Sequence, residues 1–524
     1  MAKVSIIPGM KRITNEDYLN KADALKPALI EKMHTPKSIV EITKNSDGFG
    51  EVVTETEISA LPNIRLSKGD KVCLDFGNHY VGYITLHISS AGSPPDAPLF
   101  LKLEFGENAT EITDQSEDYD GWISRSWIQE EWLHIDVLPT VITLPRRYAM
   151  RFLEITVIDS SMKYQAVIEK AEFKAVSSVD GESIPDLDTD DEMIRKIDRA
   201  SIKTLEDCMQ DVFEDGPKRD RRLWIGDLRL QALANYATFK NYDLVKRCLY
   251  LFAGTRMENG AVGACLFTEP ANIVDDTYLY DYALFFVPIL LDYFKESGDK
   301  ETALDLWDVA YRQLEIGIER MGEDNVVVDG GADFWCFLDW KEGLNKQAGG
   351  QAVLICCLRN GIELGGLLGK DVSYLEKKLD AAVRAAKEIL WDKEQKFFVS
   401  GSEKQISYAS QVWMILAGVF DKETNRDLLK RLVELDPKID MVTPYMYHNF
   451  VMAFIECGEY DEAMKYIKSY WGEMINDGAD TFWELYNPKN KNESPYGSSI
   501  VNSYCHAWSC TPTYIFRKYF SNGC

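Results

Sequence analysis

The chain has 524 residues, with 58 Lys and Arg against 84 Asp and Glu, a formal charge of −26 and a pI of about 4.8. This excludes the basic footprint of a nucleic-acid binder, and anionic membrane surfaces would repel the molecule. With 46% hydrophobic and 12% aromatic residues, it reads as a folded protein with large cores, not a disordered acidic chain.

The N-terminus, MAKVSIIPGMKRITNEDYLNKADALK, has no apolar stretch followed by a cleavage site and does not read as a secretory leader. Residues 15–35 are expected to hold a short helix. Short β-rich runs follow at 50–58, 71–76, 82–89, 98–105, 133–137, 141–144, 151–158 and 165–173, separated by turn residues. Their period-2 alternation predicts antiparallel sheets packed as a β-sandwich, assigned to residues 1–185. One connection, 106–131, is unusually long.

From about residue 188 the period becomes helical. TDDEMIRKIDRASIKTLEDCM opens with a Thr/Asp cap and an acidic first turn, then places apolar residues three to four apart. About twelve helices are expected, near 189–211, 226–241, 243–256, 277–297, 300–320, 346–367, 371–392, 405–419, 422–435, 443–457, 459–476 and 498–518. Some are apolar almost all round and others amphipathic, which predicts inner and outer layers. Twelve helices in two layers fit an (α/α)6 barrel over 186–524; a repeat solenoid fits less well, since no repeat of 34 or 40 residues is visible. No apolar run approaches the roughly 18–20 residues of a membrane helix. The longest candidate, ALFFVPILL at 283–291, reads as a buried helix.

The eleven Cys are odd in number and form no CxxC pair, as expected of reduced thiols in a cytoplasmic protein. The six His show no HExxH and no ligand spacing, so no metal and no other cofactor is expected.

Four loop segments mix carboxylates with aromatics: FEDGPKRDRRLWIGD (213–227), EPANIVDDTYLYD (269–281), GGADFWCFLDWKEG (330–343) and GADTFWELY (478–486), with SYCHAWS (503–509) placed on the last helix. That mixture suits a sugar. Aromatic faces stack on pyranose C–H surfaces, carboxylates hold hydroxyls, and a carboxyl pair does acid/base work on a glycosidic bond. Acidic residues are abundant, however, so three Asp in one such window prove little, and Asp227 could simply cap a helix.

The segment DGPKRDRRLWIGD resembles the acidic signature of glycoside hydrolase family 78, the inverting α-L-rhamnosidases, with Asp215, Pro217, Arg219, Trp224, Gly226 and Asp227 matching in order. The resemblance puts Asp220 at the general-acid position, where the family usually has Glu. GADTFWELY resembles the segment of the general base, which maps to Glu484 with Trp483 beside it. SYCHAWS maps His506 to the sugar, GADFWCFLDW maps Asp339 and Trp340, and VDDTYLYDYAL maps Asp276 and Tyr280. LDFGNHYVGYITLHIS resembles a strand pair of the family's preceding β-sandwich. The resemblance runs from about residue 70 to the end, and a further C-terminal β-sandwich is expected to be absent.

The resemblance implies exo-acting release of terminal α-L-rhamnose from a glycoside or oligosaccharide, with Asp220 protonating the leaving oxygen and Glu484 activating water. Asp215, Arg219, Trp224, Asp227, Asp276, Tyr280, Asp339, Trp340, Trp483 and His506 would bind substrate. Arg219 should point away from Asp220, towards Asp215 or substrate hydroxyls. Two alternatives stay open: a polysaccharide lyase or unsaturated-uronyl hydrolase, with Tyr504 and His506 as its pair, and an inactive glycan-binding homologue. A homodimer is plausible.

Overall fold

The computed structural model describes residues 11–114, 116–330 and 334–520. Its first part is β1 (Arg12–Thr14), α1 (Glu16–Asp23), β2 (Ile30–His34), β3 (Ser38–Lys44), β4 (Gly50–Glu57), β5 (Lys71–Gly92), β6 (Leu99–Gly106), α2 (Ala109–Thr113), β7 (Glu130–Ile135), β8 (Thr140–Thr143), β9 (Tyr148–Asp159) and β10 (Tyr164–Ser177). The helix expected over 15–35 stops at Asp23, and β2 follows. The runs at 71–76 and 82–89, read as two strands, form the single strand β5. Its pairing with β9 jumps from Asp75 to Tyr80, so the strand bends there. Before the bend β5 pairs with β3 and β9; beyond it, β9 follows as far as Gly82, and β10 and β8 flank the rest. It therefore belongs to two antiparallel leaves. Leu74, Phe76, Ile84, Leu86, Leu101, Leu103, Leu153, Ile155 and Phe173 fill the space between them. Alternate residues of β5 point inward because successive strand side chains face opposite sides.

The helical part runs α3 (Glu192–Cys208), α4 (Ile225–Ala237), α5 (Tyr242–Gly254), α6 (Tyr280–Ser297), α7 (Lys300–Glu319), α8 (Gln347–Leu368), α9 (Ser373–Ala385), α10 (Tyr408–Leu416), α11 (Lys422–Leu435), α12 (Pro444–Cys457), α13 (Tyr460–Asn476) and α14 (Pro512–Tyr519). Helices α4, α6, α8, α10 and α12 pack side by side in that order, and the turn Ala507–Ser509 closes the circle between α12 and α4. The odd-numbered helices pack outside them. Burial separates the layers: inner α6 buries 13 of its 18 residues, whereas outer α9 buries only Leu375, Ala382 and Ala385. Helix α8 is long and apolar enough to cross a membrane by length and composition, more so than the 283–291 run, yet it packs between α6 and α10. β1 and α1 sit with the helices: β1 pairs with Thr255–Met257, and α1 packs on α5.

The last expected helix, 498–518, is α-helical only from Pro512 to Tyr519, with short 3-10 turns at Ser499–Val501 and Ala507–Ser509. Residues 502–506 are not helical, because their main chain is committed elsewhere. Ser503 O accepts from Glu484 N at 2.9 Å, His506 N donates to Phe482 O at 2.8 Å, and Tyr504 N donates to Glu107 Oε2 at 2.8 Å.

That last bond crosses the seam between the two parts, which is lined with charge. His79 Nδ1 meets Asp207 Oδ2 at 2.7 Å and its Nε2 meets Glu107 Oε1 at 3.2 Å. Lys218 is 1% exposed and bonds Glu111 and the Asn502 carbonyl, with Glu107 Oε2 at 3.4 Å. Arg147 donates to both oxygens of Glu214, at 2.9 and 2.7 Å. Phe49 stacks on Trp483 at 5.6 Å. Removing one partner from a buried charge network strands the others without water, at a cost of about 3–5 kcal/mol. Lys218→Met is therefore expected to lower the thermal midpoint strongly, and Lys196→Met, whose partner Glu192 is exposed, to leave it in place. Equal midpoints for the two variants in a melting experiment would remove Lys218 from the seam's energetics.

Candidate active site

The loop between α3 and α4 is closed by one side chain. Asp215 accepts the N–H of Asp220 at 3.0 Å and of Arg222 at 3.1 Å, while its own N–H donates to Arg222 O at 3.0 Å. Asp215 thus shapes the turn that presents Arg219 and Asp220. Gly216 is needed in it, since a Cβ there would lie 2.5 Å from Arg219 O. At the start of α4, a Cβ on Gly226 would lie 2.2 Å from the Tyr282 ring, so only glycine lets the two elements meet.

Arg219 is the hub. Its guanidinium pairs with Glu484 and reaches Asp220 Oδ1 at 3.4 Å, and its Nε donates to Val501 O at 3.0 Å. Instead of pointing away from Asp220, towards Asp215 or substrate hydroxyls, it stands between the two proposed catalytic carboxylates. Glu484 also accepts from the Tyr496 hydroxyl, whose ring lies 4.2 Å below the guanidinium. The Glu484 side chain is 5% exposed and that of Asp220 is 22% exposed, so one carboxylate lies at the floor and the other opens outward.

Asp227 and His506 complete the cluster. Asp227 lies in the first turn of α4 and is not its N-cap, a place held by Trp224. His506 sits between Asp215 Oδ2, 3.9 Å away, and Asp227 Oδ1, 3.7 Å away, and packs on Trp508 at 4.3 Å. Burial, then the charge of Arg219, pushes His506 down to about 3, so it is neutral. Burial, then the charge of Asp220, pushes Asp215 up to about 8. Burial and the charges of Asp215 and Glu484 hold Asp227 well above the usual carboxylate range. Asp227 Oδ1, His506 Nδ1, Trp224 Nε1 and Trp340 Nε1 are buried without hydrogen-bond partners. Buried polar atoms are normally paired, and these four suit the hydroxyls of a bound polyol.

The other expected residues divide. Trp224 and Trp340 join an aromatic wall: Trp224 meets Tyr282 edge-on at 6.3 Å, Tyr282 meets Phe337 at 5.6 Å, and Trp340 meets Phe337 at 5.4 Å and Tyr496 at 6.2 Å. Asp339 is engaged behind that wall. It accepts from Val442 N at 3.0 Å, Thr443 Oγ1 at 2.7 Å and Trp340 N at 2.9 Å, and so fixes Trp340 against α12. Tyr280 is packed among helices, its hydroxyl donating to Gly317 O at 3.3 Å. Trp483 is buried in the domain seam against Phe49, Tyr486 and Tyr504. Asp276 is half-buried, and its neighbour Asp275 takes the hydrogen bond of Thr277 at 2.7 Å. The part of the 330–343 loop at 331–333 lies outside the described residues.

Tyr496, Tyr282, Phe337 and Trp508 escaped the sequence reading. Tyr496 lies in PKNKNESPYGSS, a polar stretch with no periodic signal; Tyr282 and Phe337 look like ordinary core residues. Outside this cluster, His79, Asp207 and Cys505 bring one potential metal-ligating atom each within 4.8 Å of one another. Both ring nitrogens of His79 already meet carboxylates, so the trio serves as a hydrogen-bonded seam.

A paired carboxylate site walled by aromatics, at one end of a double-layered ring of helices behind a β-sandwich, defines a glycoside hydrolase. The glycosyl hydrolase family 78 alpha-rhamnosidase N-terminal domain matches residues 36–175, and the bacterial alpha-L-rhamnosidase 6 hairpin glycosidase domain matches 183–519. The chain belongs to glycoside hydrolase family 78. Among solved structures it is similar to a rhamnosidase from Klebsiella oxytoca with rhamnose bound, at 45% identity over 97% of this chain and 99% of that one, with a TM-score of 0.95. Its fold also matches the family 78 rhamnosidase of Bacillus sp. GL1, at 19% identity over 86% of this chain and 46% of that one, TM-score 0.72. The α-L-rhamnosidase of Streptomyces avermitilis complexed with L-rhamnose matches at 16% identity over 94% and 44%, TM-score 0.65. A comparison with curated proteins returned no match.

The raised carboxyls have a stability consequence. A carboxyl whose folded pKa lies above its unfolded value near 3.9 binds more protons in the folded state, so stability falls as pH rises through that interval. For Asp215 the interval ends at about 8. Neutral His506 acts oppositely: stability is lost as pH falls from about 6.5 towards about 3. The thermal midpoint of the free protein is expected to decline from pH 6 to pH 8, and Asp215→Asn to flatten that decline. An unchanged slope in Asp215→Asn melts would show that Asp215 does not carry the effect.

Proposed function

We propose that the chain is an exo-acting α-L-rhamnosidase that inverts the anomeric centre. The observation that carries this is the placement of two carboxylates on either side of one guanidinium, one at the floor and one opening outward. Inversion needs a water between the base and the sugar, and hence carboxyls roughly 6.5–9.5 Å apart, wider than a retaining pair. A guanidinium between Glu484 and Asp220 keeps them from closing on each other. The extensive similarity to a rhamnosidase with rhamnose bound supports the choice of sugar.

In this reading Glu484 removes a proton from water at the floor, and Asp220 delivers one to the glycosidic oxygen at the open side, where the leaving group departs. Arg219 orients both carboxylates, and Tyr496 fixes the free oxygen of Glu484. Asp227, His506 and the two indole N–H groups take sugar hydroxyls, and the wall of Tyr282, Phe337 and Trp340 receives the apolar face and methyl group of a deoxysugar.

The lyase alternative lacks its pair. The Tyr504 hydroxyl faces Ser499 O at 3.4 Å, and Arg221 and Arg222 are spent on main-chain carbonyls and the Phe267 ring. A cytoplasmic setting is supported by free thiols at every described cysteine.

Both Glu484→Gln and Asp220→Asn are expected to lose at least a hundredfold in kcat on an aryl α-L-rhamnoside. The Asp220→Asn loss should shrink with a better leaving group, since an activated phenolate needs no proton, whereas the Glu484→Gln loss should not. Magnetic resonance of early product should show the β-anomer of L-rhamnose; α-anomer first, or near-normal turnover by Glu484→Gln, would overturn the inverting assignment.

A further inference from the structure

The connection from β6 to β7 passes beside Tyr496, and it carries an exposed tryptophan there. Trp122 is 48% exposed, yet it is held in place. Its Nε1 donates to Pro495 O at 2.8 Å, and its ring lies 5.8 Å from that of Tyr496, whose hydroxyl bonds Glu484. The backbone beside it is locked as well: a Cβ on Gly121 would lie 2.3 Å from Tyr496 O, and the Tyr119 hydroxyl donates to Ile123 O at 2.9 Å. Burying an indole is favourable, and leaving half of one in water forgoes that gain. Here the exposed face is paired with a fixed orientation, beside the Tyr496 ring that carries the Arg219 guanidinium, which in turn reaches Asp220.

We propose that Trp122 is the leaving-group platform of this enzyme, a subsite formed by the β-sandwich that stacks on the ring of the aglycone next to the cleaved bond. The inference rests on the glycosidase reading above, because it takes the more exposed Asp220 as the acid and therefore places the leaving group at the mouth. The ligand chemistry is a flat face with C–H or π character, which either a hexopyranose or a phenolic ring supplies. Charge is not needed, since the indole offers only its face once its N–H is spent on Pro495. Trp122 would thus set which rhamnosides are accepted, while Trp224 and Trp340 deeper in the site meet the rhamnose itself.

The test uses the full-length protein with three α-L-rhamnosides: a methyl glycoside, a rhamnosyl-glucose disaccharide and a glycoside of a two-ring phenol. Trp122→Ala and Trp122→Phe are compared with the native chain, with melting midpoints measured alongside. Trp122→Ala is expected to lower kcat/KM on at least one ring aglycone at least tenfold more than on the methyl glycoside, mainly through KM, and Trp122→Phe to restore most of the difference. A selective loss on the disaccharide alone marks a sugar platform, and on the phenol glycoside alone an aromatic one; both support the proposal. Equal effects on all three substrates would overturn it while leaving the rhamnosidase reading intact. Failure of the native chain to release rhamnose from any of them would overturn that reading, and this inference with it.

Discussion

A buried lysine ties the molecule together. Lys218 lies in the catalytic loop, but its ammonium group is bound by Glu111 and the Asn502 carbonyl, with Glu107 beside it. Glu107 in turn holds His79 and the N–H of Tyr504. One charged group from the helical part therefore needs two carboxylates from the β-sandwich. Both carboxylates come from the short segment that follows β6, so the sandwich contributes directly to the site. Dry charges are tolerated only when every partner is in place, and that requirement fixes how the domains dock.

The segment 502–506 shows what the docking achieves. Glu107 holds Tyr504 from one side, and Glu484 and Phe482 hold Ser503 and His506 from the other. His506 is thereby set between Asp215 and Asp227, and the Ser503 hydroxyl donates to Arg219 O at 2.9 Å. Without the sandwich, residues 502–506 would lose an anchor, and Lys218 would carry an unmatched charge next to Arg219. Preorganised groups need no rearrangement during the reaction. The cost is a dense set of buried carboxyls whose protonation couples stability to pH.

The large acidic excess takes on a more specific meaning in this light. Most acids are solvated surface or helix caps, such as Asp191 at α3, Asp299 at α7 and Asp421 at α11. A few are buried at the site or the seam, where Glu107 and Glu111 share Lys218 and Asp227 keeps an unpaired oxygen. Two acids chosen from the sequence fall in different places: Asp227 keeps a buried oxygen unpaired, while Asp339 spends both oxygens on Val442 and Thr443, just before α12. Both are Asp in aromatic loops, and only their hydrogen bonds tell them apart.

The sequence by itself determined the two-part architecture, the helix spans and the loops that meet, because hydrophobic period and capping residues are local signals. It also determined the cluster Asp215, Arg219, Asp220, Asp227, Glu484 and His506, through motif order. The tertiary structure alone decided that β5 serves two leaves, that 498–511 is not a continuous helix, and that Arg219 bridges Asp220 and Glu484. It alone brought Tyr496 and Trp122 to the site and sent Tyr280 and Trp483 into the packing. The reason is physical: the Tyr504–Glu107 bond joins residues 397 positions apart, and the Arg219–Glu484 pair joins residues 265 apart. No local pattern encodes bonds of that range; the first exists only once the two domains dock, and the second only once the helical ring has closed.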